Sequence, residues 1–209
     1  MRRTREEAAE TRRTAIEAAS KLYRERGIDA VSVADVMSTL GMTVGGFYRH
    51  FDSKDALIAD ACARAFADSV AGHEGAVRTA DKRMQPLEAF LARYLSEAHR
   101  DGPASGCPVP ALVSNISHQS SSVRRAFTTG VKGLLSRIEK LSPDAEPREW
   151  LAMVAGMVGA LALARAVDDE VLSARFLRES RRFWTRAVGK QPSGRSTRRC
   201  RRGSGEHRA

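Results

Sequence analysis

Residues 27–57 read GIDAVSVADVMSTLGMTVGGFYRHFDSKDAL. Two short apolar patterns lie within this stretch. Val33, Val36, Met37 and Leu40 recur at i, i+3, i+4, i+7, and so do Val44, Phe47, Tyr48 and Phe51, the spacing of one buried face on each of two helices. Ser32 precedes the first run with Asp35 three residues on, a capping-box arrangement that predicts a helix start. Gly41 ends it, and Thr43 precedes the second run with a hydroxyl suited to capping. Two short amphipathic helices joined by a turn containing Gly are the skeleton of a helix-turn-helix, whose second helix enters the major groove of DNA. A helical hairpin that merely packs satisfies the same periodicity, so the exposed residues decide.

On the second helix the outward stripe is Thr43, Gly45, Gly46, Arg49 and His50, with Tyr48 and then Lys54 at its rim. Hydroxyl, phenol, imidazole, guanidinium and ammonium groups are the types that position a protein on phosphates. Two adjacent glycines inside a helix cost about 1 kcal/mol each relative to Ala. A packing helix gains nothing from them, whereas a backbone that must lie close against groove walls does. Arg49 is the one exposed side chain on this helix able to make a bidentate contact to guanine.

Outward from this segment the chain reads as helix almost throughout. Gly27, Gly41, Pro86, the run Gly102 to Pro110, Pro143 and Pro147 punctuate it, and between them apolar residues recur at three and four. The spacing predicts helices over 7–26, from Lys54 onward, over 86–100, 109–116, 121–141, 146–168 and 169–190. No alternating run predicts a strand, so the expected class is all-α: a helix-turn-helix domain over 1–55 and a larger helical domain over 56–190. Residues 191–209, with no apolar periodicity, are expected to form a disordered basic tail.

The 209 residues carry 35 Lys and Arg against 25 Asp and Glu, a net charge of +10. Residues 1–60 are balanced, and much of the excess falls in the tail. The bulk charge is therefore a weak argument for a polyanionic partner, and the motif must carry it. Cys62, Cys107 and Cys200 are odd in number and far apart, which argues against a disulfide framework and for a reducing compartment. The amino terminus has charge without an apolar stretch behind it, so no secretory leader is expected. The longest apolar run, Trp150 to Ala164, falls short of the roughly 20 residues that span a bilayer. A cytoplasmic, soluble protein is the expectation.

The stretch 27–57 resembles the DNA-binding domain of tetracycline-repressor-like (TetR/AcrR) transcription regulators. The resemblance rests on hydroxyl residues at Ser32 and Thr43, the turn at Gly41, the pattern aromatic, any residue, basic or aromatic, Phe at Tyr48-Arg49-His50-Phe51, and the Lys54 that follows. It covers roughly residues 10–60. Met37 is bulkier than the Ala common there, and Gly45 removes one possible base contact. The resemblance implies Ser32, Thr43, Tyr48, His50 and Lys54 as phosphate contacts, with Val44, Gly45, Gly46 and Arg49 against the groove. It also implies a homodimeric repressor on a palindromic operator and a divergent carboxy-terminal domain for a small, often apolar effector.

A single recognition helix contacts few base pairs, so a dimer face is expected downstream. The nearly all-apolar helix 146–168 offers the small residues Ala155, Gly156, Gly159 and Ala160, and the last helix offers Phe176, Phe183 and Trp184; the resemblance pairs these two helices with their copies as a four-helix bundle. Candidate pocket residues are Phe66, Phe90, Tyr94, Cys107, Ile116, Phe127, Trp150, Met153 and Met157, each of which is more readily plain core than ligand wall. Cys107, just before an expected helix start where the dipole can lower a thiol pKa, suggests an alternative, a repressor sensing oxidants or electrophiles; a buried, inert cysteine is the safer reading, since no second cysteine is nearby in sequence. An enzyme finds little support, because the five histidines have no metal-ligand spacing and no nucleophile elbow or phosphate loop occurs. No metal and no cofactor are expected.

Overall fold

The computed structural model describes residues 5–143 and 146–189; the expected disordered tail, with Cys200 and His207, lies outside the described residues. The described residues form ten α-helices and one 3₁₀ turn, and no strand occurs among them. The first helix, α1 (Arg5–Arg26), buries Ala15, Ala19 and Tyr23 and ends where Gly27, at φ +84°, donates its N–H to the Tyr23 carbonyl at 2.9 Å. A residue with a Cβ is strained at that φ. Helix α2 (Val33–Ser38) opens on the expected capping box: the Asp35 N–H donates to the Ser32 hydroxyl and the Ser32 N–H to the Asp35 carboxylate. It closes at Gly41, φ +64°, where Met42 N–H reaches back to the Met37 carbonyl at 3.0 Å, a Schellman-type closure.

Helix α3 (Val44–Phe47) is a single turn, shorter than its apolar pattern. Beyond it the bonds tighten, Arg49 N–H to Gly46 carbonyl and His50 N–H to Phe47 carbonyl, so the chain continues as turns to Phe51, which is still buried. Ser53, accepting the Ala56 N–H, starts the 26-residue α4 (Lys54–Thr79).

The helix expected over 86–100 is two. α5 (Pro86–Tyr94) stops at buried Leu95, and Ser96 caps a new helix, α6 (Glu97–Asp101), by accepting the His99 N–H. The break frees the Tyr94 carbonyl to accept a hydrogen bond from His99 Nδ1 at 2.7 Å. A 3₁₀ turn (Pro103–Ser105) leads to α7 (Pro108–Ile116), α8 (Ser121–Leu141), α9 (Pro147–Ala166) and α10 (Glu170–Gly189).

Helix α4 is the central strut. It packs on α1 at one end and on α8 and α5 at the other, while α9 lies on α10 and closes against α7 and α8. One continuous core runs from Ala15 through to Leu177. At 20 residues α9 is longer than its apolar run suggests, and by length and composition alone it could cross a membrane. Here its inner face, Met153, Met157, Leu161 and Ala164, is buried in this core. Its outer face is not: Leu151 is 58% exposed and Leu163 is also open.

Gly130 in α8 faces the Phe66 ring, and a Cβ placed there would sit 2.1 Å from it. Gly72 in α4 has open space instead. Helix propensity alone favours Ala at both by about 1 kcal/mol. Thermal denaturation should therefore show Gly72→Ala raising stability by about that amount, and Gly130→Ala lowering it by about 1–3 kcal/mol because overpacking wins.

Burial lowers the His99 pKa from 6.5 to about 3. The unfolded chain protonates near 6.5 while the folded protein stays neutral, so unfolding takes up a proton. His99 thus supports full stability above pH 6.5 and loses it progressively as the pH falls toward 3. His99→Gln should flatten the fall in melting temperature below pH 6.5 relative to the unaltered protein, as calorimetry across a pH series will read.

Candidate nucleic-acid interface and effector cleft

Phe47 and Phe51 point inward with their rings stacked 5.1 Å apart. Tyr48, between them in sequence, points outward. It is 69% exposed and sets its ring edge-on to Phe47 at 5.2 Å. The apolar period placed Tyr48 on the buried face; with α3 only one turn long, the chain swings it to the surface as a phenol resting on a fixed aromatic base. Val44, Gly45 and Arg49 share that outer face, with Gly46 and His50 partly sheltered. A Cβ at Gly45 would meet only the Thr43 hydroxyl, at 3.9 Å, and one at Gly46 would lie 3.1 Å from the Met42 methyl.

The far end of this segment is pinned. Arg12 of α1 lays its guanidinium over the Phe51 ring at 4.9 Å, donates from Nε to the His50 carbonyl at 3.3 Å, and ion-pairs with Asp60 of α4. Arg64 of α4 pairs with Glu17 of α1 at 2.6 Å and with Asp68 at 2.7 Å. These ties set the angle at which α3 projects.

Two sequence expectations change. Thr43 sits at the N-cap of α3 but makes no capping hydrogen bond, so its hydroxyl is uncommitted and outward. Ser32 is the reverse: its hydroxyl donates to Asp35 at 2.5 Å and its N–H at 2.7 Å. Both of its donors serve the cap, with a carboxylate beside them whose pKa those bonds hold down, which suits it poorly to a phosphate. Lys54 lies half-buried at the start of α4.

The expected pocket residues largely fill the core. Phe66, Tyr94, Ile116, Phe127, Met153 and Met157 are buried among one another, Phe66 and Phe127 edge to face at 5.5 Å. Trp150 packs at the core margin and donates its indole N–H to the Ser142 carbonyl. A cleft of about 560 Å³ opens elsewhere, between α4, α5 and α8, and of the nine expected residues it takes only Phe90. His73, Arg78, Arg137 and Lys140, which sequence reasoning passed over, line it with Val77 and Leu141.

Cys107 follows its buried, inert reading and not the sensor alternative. It occupies the N-cap of α7, yet at 1% exposure burial pushes its thiol pKa up, and the helix dipole does not prevail. The Tyr94 hydroxyl lies beside that thiol without closing a sound hydrogen bond. Cys62 is buried as well and pushed up to about 12. Neither thiol is placed as a reactive sensor. Around Cys107 the polar groups are structural: its N–H donates to His99 Nε2 at 2.9 Å, and the neighbouring Gly106 carbonyl accepts from the buried guanidinium of Arg24 on α1 at 3.0 Å.

The expected dimer residues divide. Gly156 is occupied within the chain, since a Cβ there would meet the Trp184 indole at 2.6 Å, and Ala160 is buried. Phe176 and Trp184 pack against the same core. Ala155 and Phe183, the latter 62% exposed, face outward, and Gly159 opens on free space.

Residues 15–61 match the model of the tetR family of bacterial regulatory proteins. Over 58 residues the chain is 43% identical to the transcriptional regulator TtgR of Pseudomonas putida, a match covering 28% of each chain. Among solved structures, a TetR transcriptional regulator from Chloroflexus aurantiacus aligns over 89% of this chain and 98% of its own, with TM-score 0.71 and 22% identity. The reduced form of Escherichia coli NemR aligns over 85% and 96%, with TM-score 0.69 and 19% identity. At those identities the structural likeness is one of fold, reaching through the carboxy-terminal helices where sequence similarity to TtgR does not. The chain thus carries the tetR family's amino-terminal signature at residues 15–61, on an all-helical fold that it shares with TetR regulators of known structure.

Proposed function

We propose that the chain is a cytoplasmic transcriptional repressor, without enzymatic activity, that binds a palindromic DNA operator as a homodimer and leaves it when a small molecule occupies the carboxy-terminal domain. The observation that carries this reading is the α3 segment: a glycine-paired turn that buries Phe47 and Phe51 and turns Thr43, Val44, Tyr48 and Arg49 outward together. Small residues let the backbone approach the groove walls. The Tyr48 and Thr43 hydroxyls and Lys54 suit phosphate oxygens, His50 stands at their edge, and Arg49 suits a base edge. Ser32 contributes by fixing the start of α2.

Dimerisation is proposed through the outer faces of α9 and α10. Leu151, Ala155, Gly159 and Leu163 on one helix and Phe183 on the other leave an apolar stripe uncovered in the single chain, and such a stripe marks a contact surface. A second copy across it would set two α3 segments on one face of a duplex. Helix α4 then links the two functions. It begins beside α3 and reaches the cleft at His73, about 30 Å along its axis. An effector acts by favouring the dimer geometry that does not fit the operator.

Fluorescence anisotropy on a selected operator and a scrambled duplex tests the interface. Tyr48→Ala and Lys54→Ala should weaken both complexes by similar factors, while Arg49→Ala should cost about 1–3 kcal/mol on the operator alone. Unchanged affinity in all three variants refutes the assignment. Sedimentation velocity tests the dimer: the unaltered chain should run as a dimer and Phe183→Glu as a monomer, and a monomeric unaltered chain would reject the proposed face.

A further inference from the structure

The cleft between α4, α5 and α8 has a chemical polarity of its own. At its inner wall stands His73, 6% exposed. Its Nδ1 lies 2.5 Å from the Ser69 carbonyl, which can only accept, so Nδ1 carries the proton and Nε2 presents a lone pair. That Nε2 is buried and has no hydrogen-bond partner. Arg137 in the same wall binds Glu74 at 2.8 Å through one terminal nitrogen, while its buried Nε–H is left without an acceptor. A native interior rarely leaves such polar atoms unanswered, and both belong to side chains that line this one cavity. Between and around them the surface is apolar: Val77, Leu141 and the Phe90 ring, whose centroid lies 5.0 Å from that of His73. Gly133, Ser136, Arg78 and Lys140 complete the lining; the last two form no ion pair among the described residues, so three cations face the single carboxylate of Glu74.

Resting on the reading of the chain as an effector-released regulator, we propose that this cleft binds a small hydroxylated aromatic carboxylate. The hydroxyl donates to His73 Nε2, the ring lies against Phe90, Val77 and Leu141, and the carboxylate accepts from Arg137 Nε–H within the field of Arg78 and Lys140. A cavity of about 560 Å³ is of the size that encloses such a molecule. A neutral, all-apolar ligand would leave both buried polar atoms unanswered and the cationic lining unmatched. A cationic ligand would be repelled.

The test is calorimetric titration of the full chain with 4-hydroxycinnamate, with cinnamate, which lacks the hydroxyl, and with methyl 4-hydroxycinnamate, which lacks the charge. The first should bind tightest, and each of the others should be weaker by about tenfold or more. His73→Phe should bring 4-hydroxycinnamate down to the level of cinnamate. Arg78→Gln combined with Lys140→Gln, both nearer the surface and so safer for folding, should narrow the gap between acid and ester. Failure of all three compounds to bind, equal binding of all three, tighter binding of the ester, or an undiminished acid preference in the double variant overturns the proposal. Operator binding is followed in parallel by anisotropy. Intact DNA binding without acid binding rejects the ligand class alone, whereas acid binding by a chain that does not bind DNA, or that keeps its operator when saturated, upholds the cleft and rejects the regulatory reading.

Discussion

A helix of one turn has no stability of its own, because nucleation fixes several residues for a single hydrogen bond. Everything proposed for α3 therefore depends on the contact that holds it: Phe47 and Phe51 stacked beneath it and Arg12 of α1 laid across Phe51 while gripping the His50 carbonyl. Burial of two phenylalanine side chains contributes about 1.5–3 kcal/mol each, enough to order a segment that contains two adjacent glycines. The same anchoring fixes the backbone from which Tyr48 and Arg49 project outward.

Because Arg12 also pairs with Asp60, and Arg64 with Glu17, the reading segment is tied to α4 through α1. Farther along, the buried guanidinium of Arg24 joins α1 to the Gly106 carbonyl, one residue from the Cys107 amide that His99 accepts. His99 in turn lies edge-on to His73 in the wall of the cleft, with ring centroids 5.7 Å apart. A packed path thus runs from cavity to α1 without passing through α3.

The helix-turn-helix was legible because its determinants are local. Ser32 with Asp35, Gly41, and the two runs spaced three and four apart each act within a few residues, and α8 matches its expected limits of 121 and 141 for the same reason. The end of α5 was not legible, since Leu95 is neither Gly nor Pro and the break arises from bonds made by His99; Ser96 followed by Glu97, a cap and an acidic first turn, was the available signal. The cleft was hidden more deeply. Its wall gathers His73, Phe90 and Arg137 from three helices, and long aromatic residues elsewhere looked equally suited until packing committed them to the core. Of the two readings of Cys107 the structure takes the buried, inert one, because desolvation outweighs a dipole at the helix start.

The interruption at Leu95 has an effect on protons. By releasing the Tyr94 carbonyl to hold Nδ1–H of His99, it leaves Nε2 bare to take the Cys107 amide, so each ring nitrogen has one fixed task and neither tautomer exchange nor a second proton is tolerated without rupture of a bond. At that ring the centre of the domain stays uncharged across the range of acidity a living cell visits.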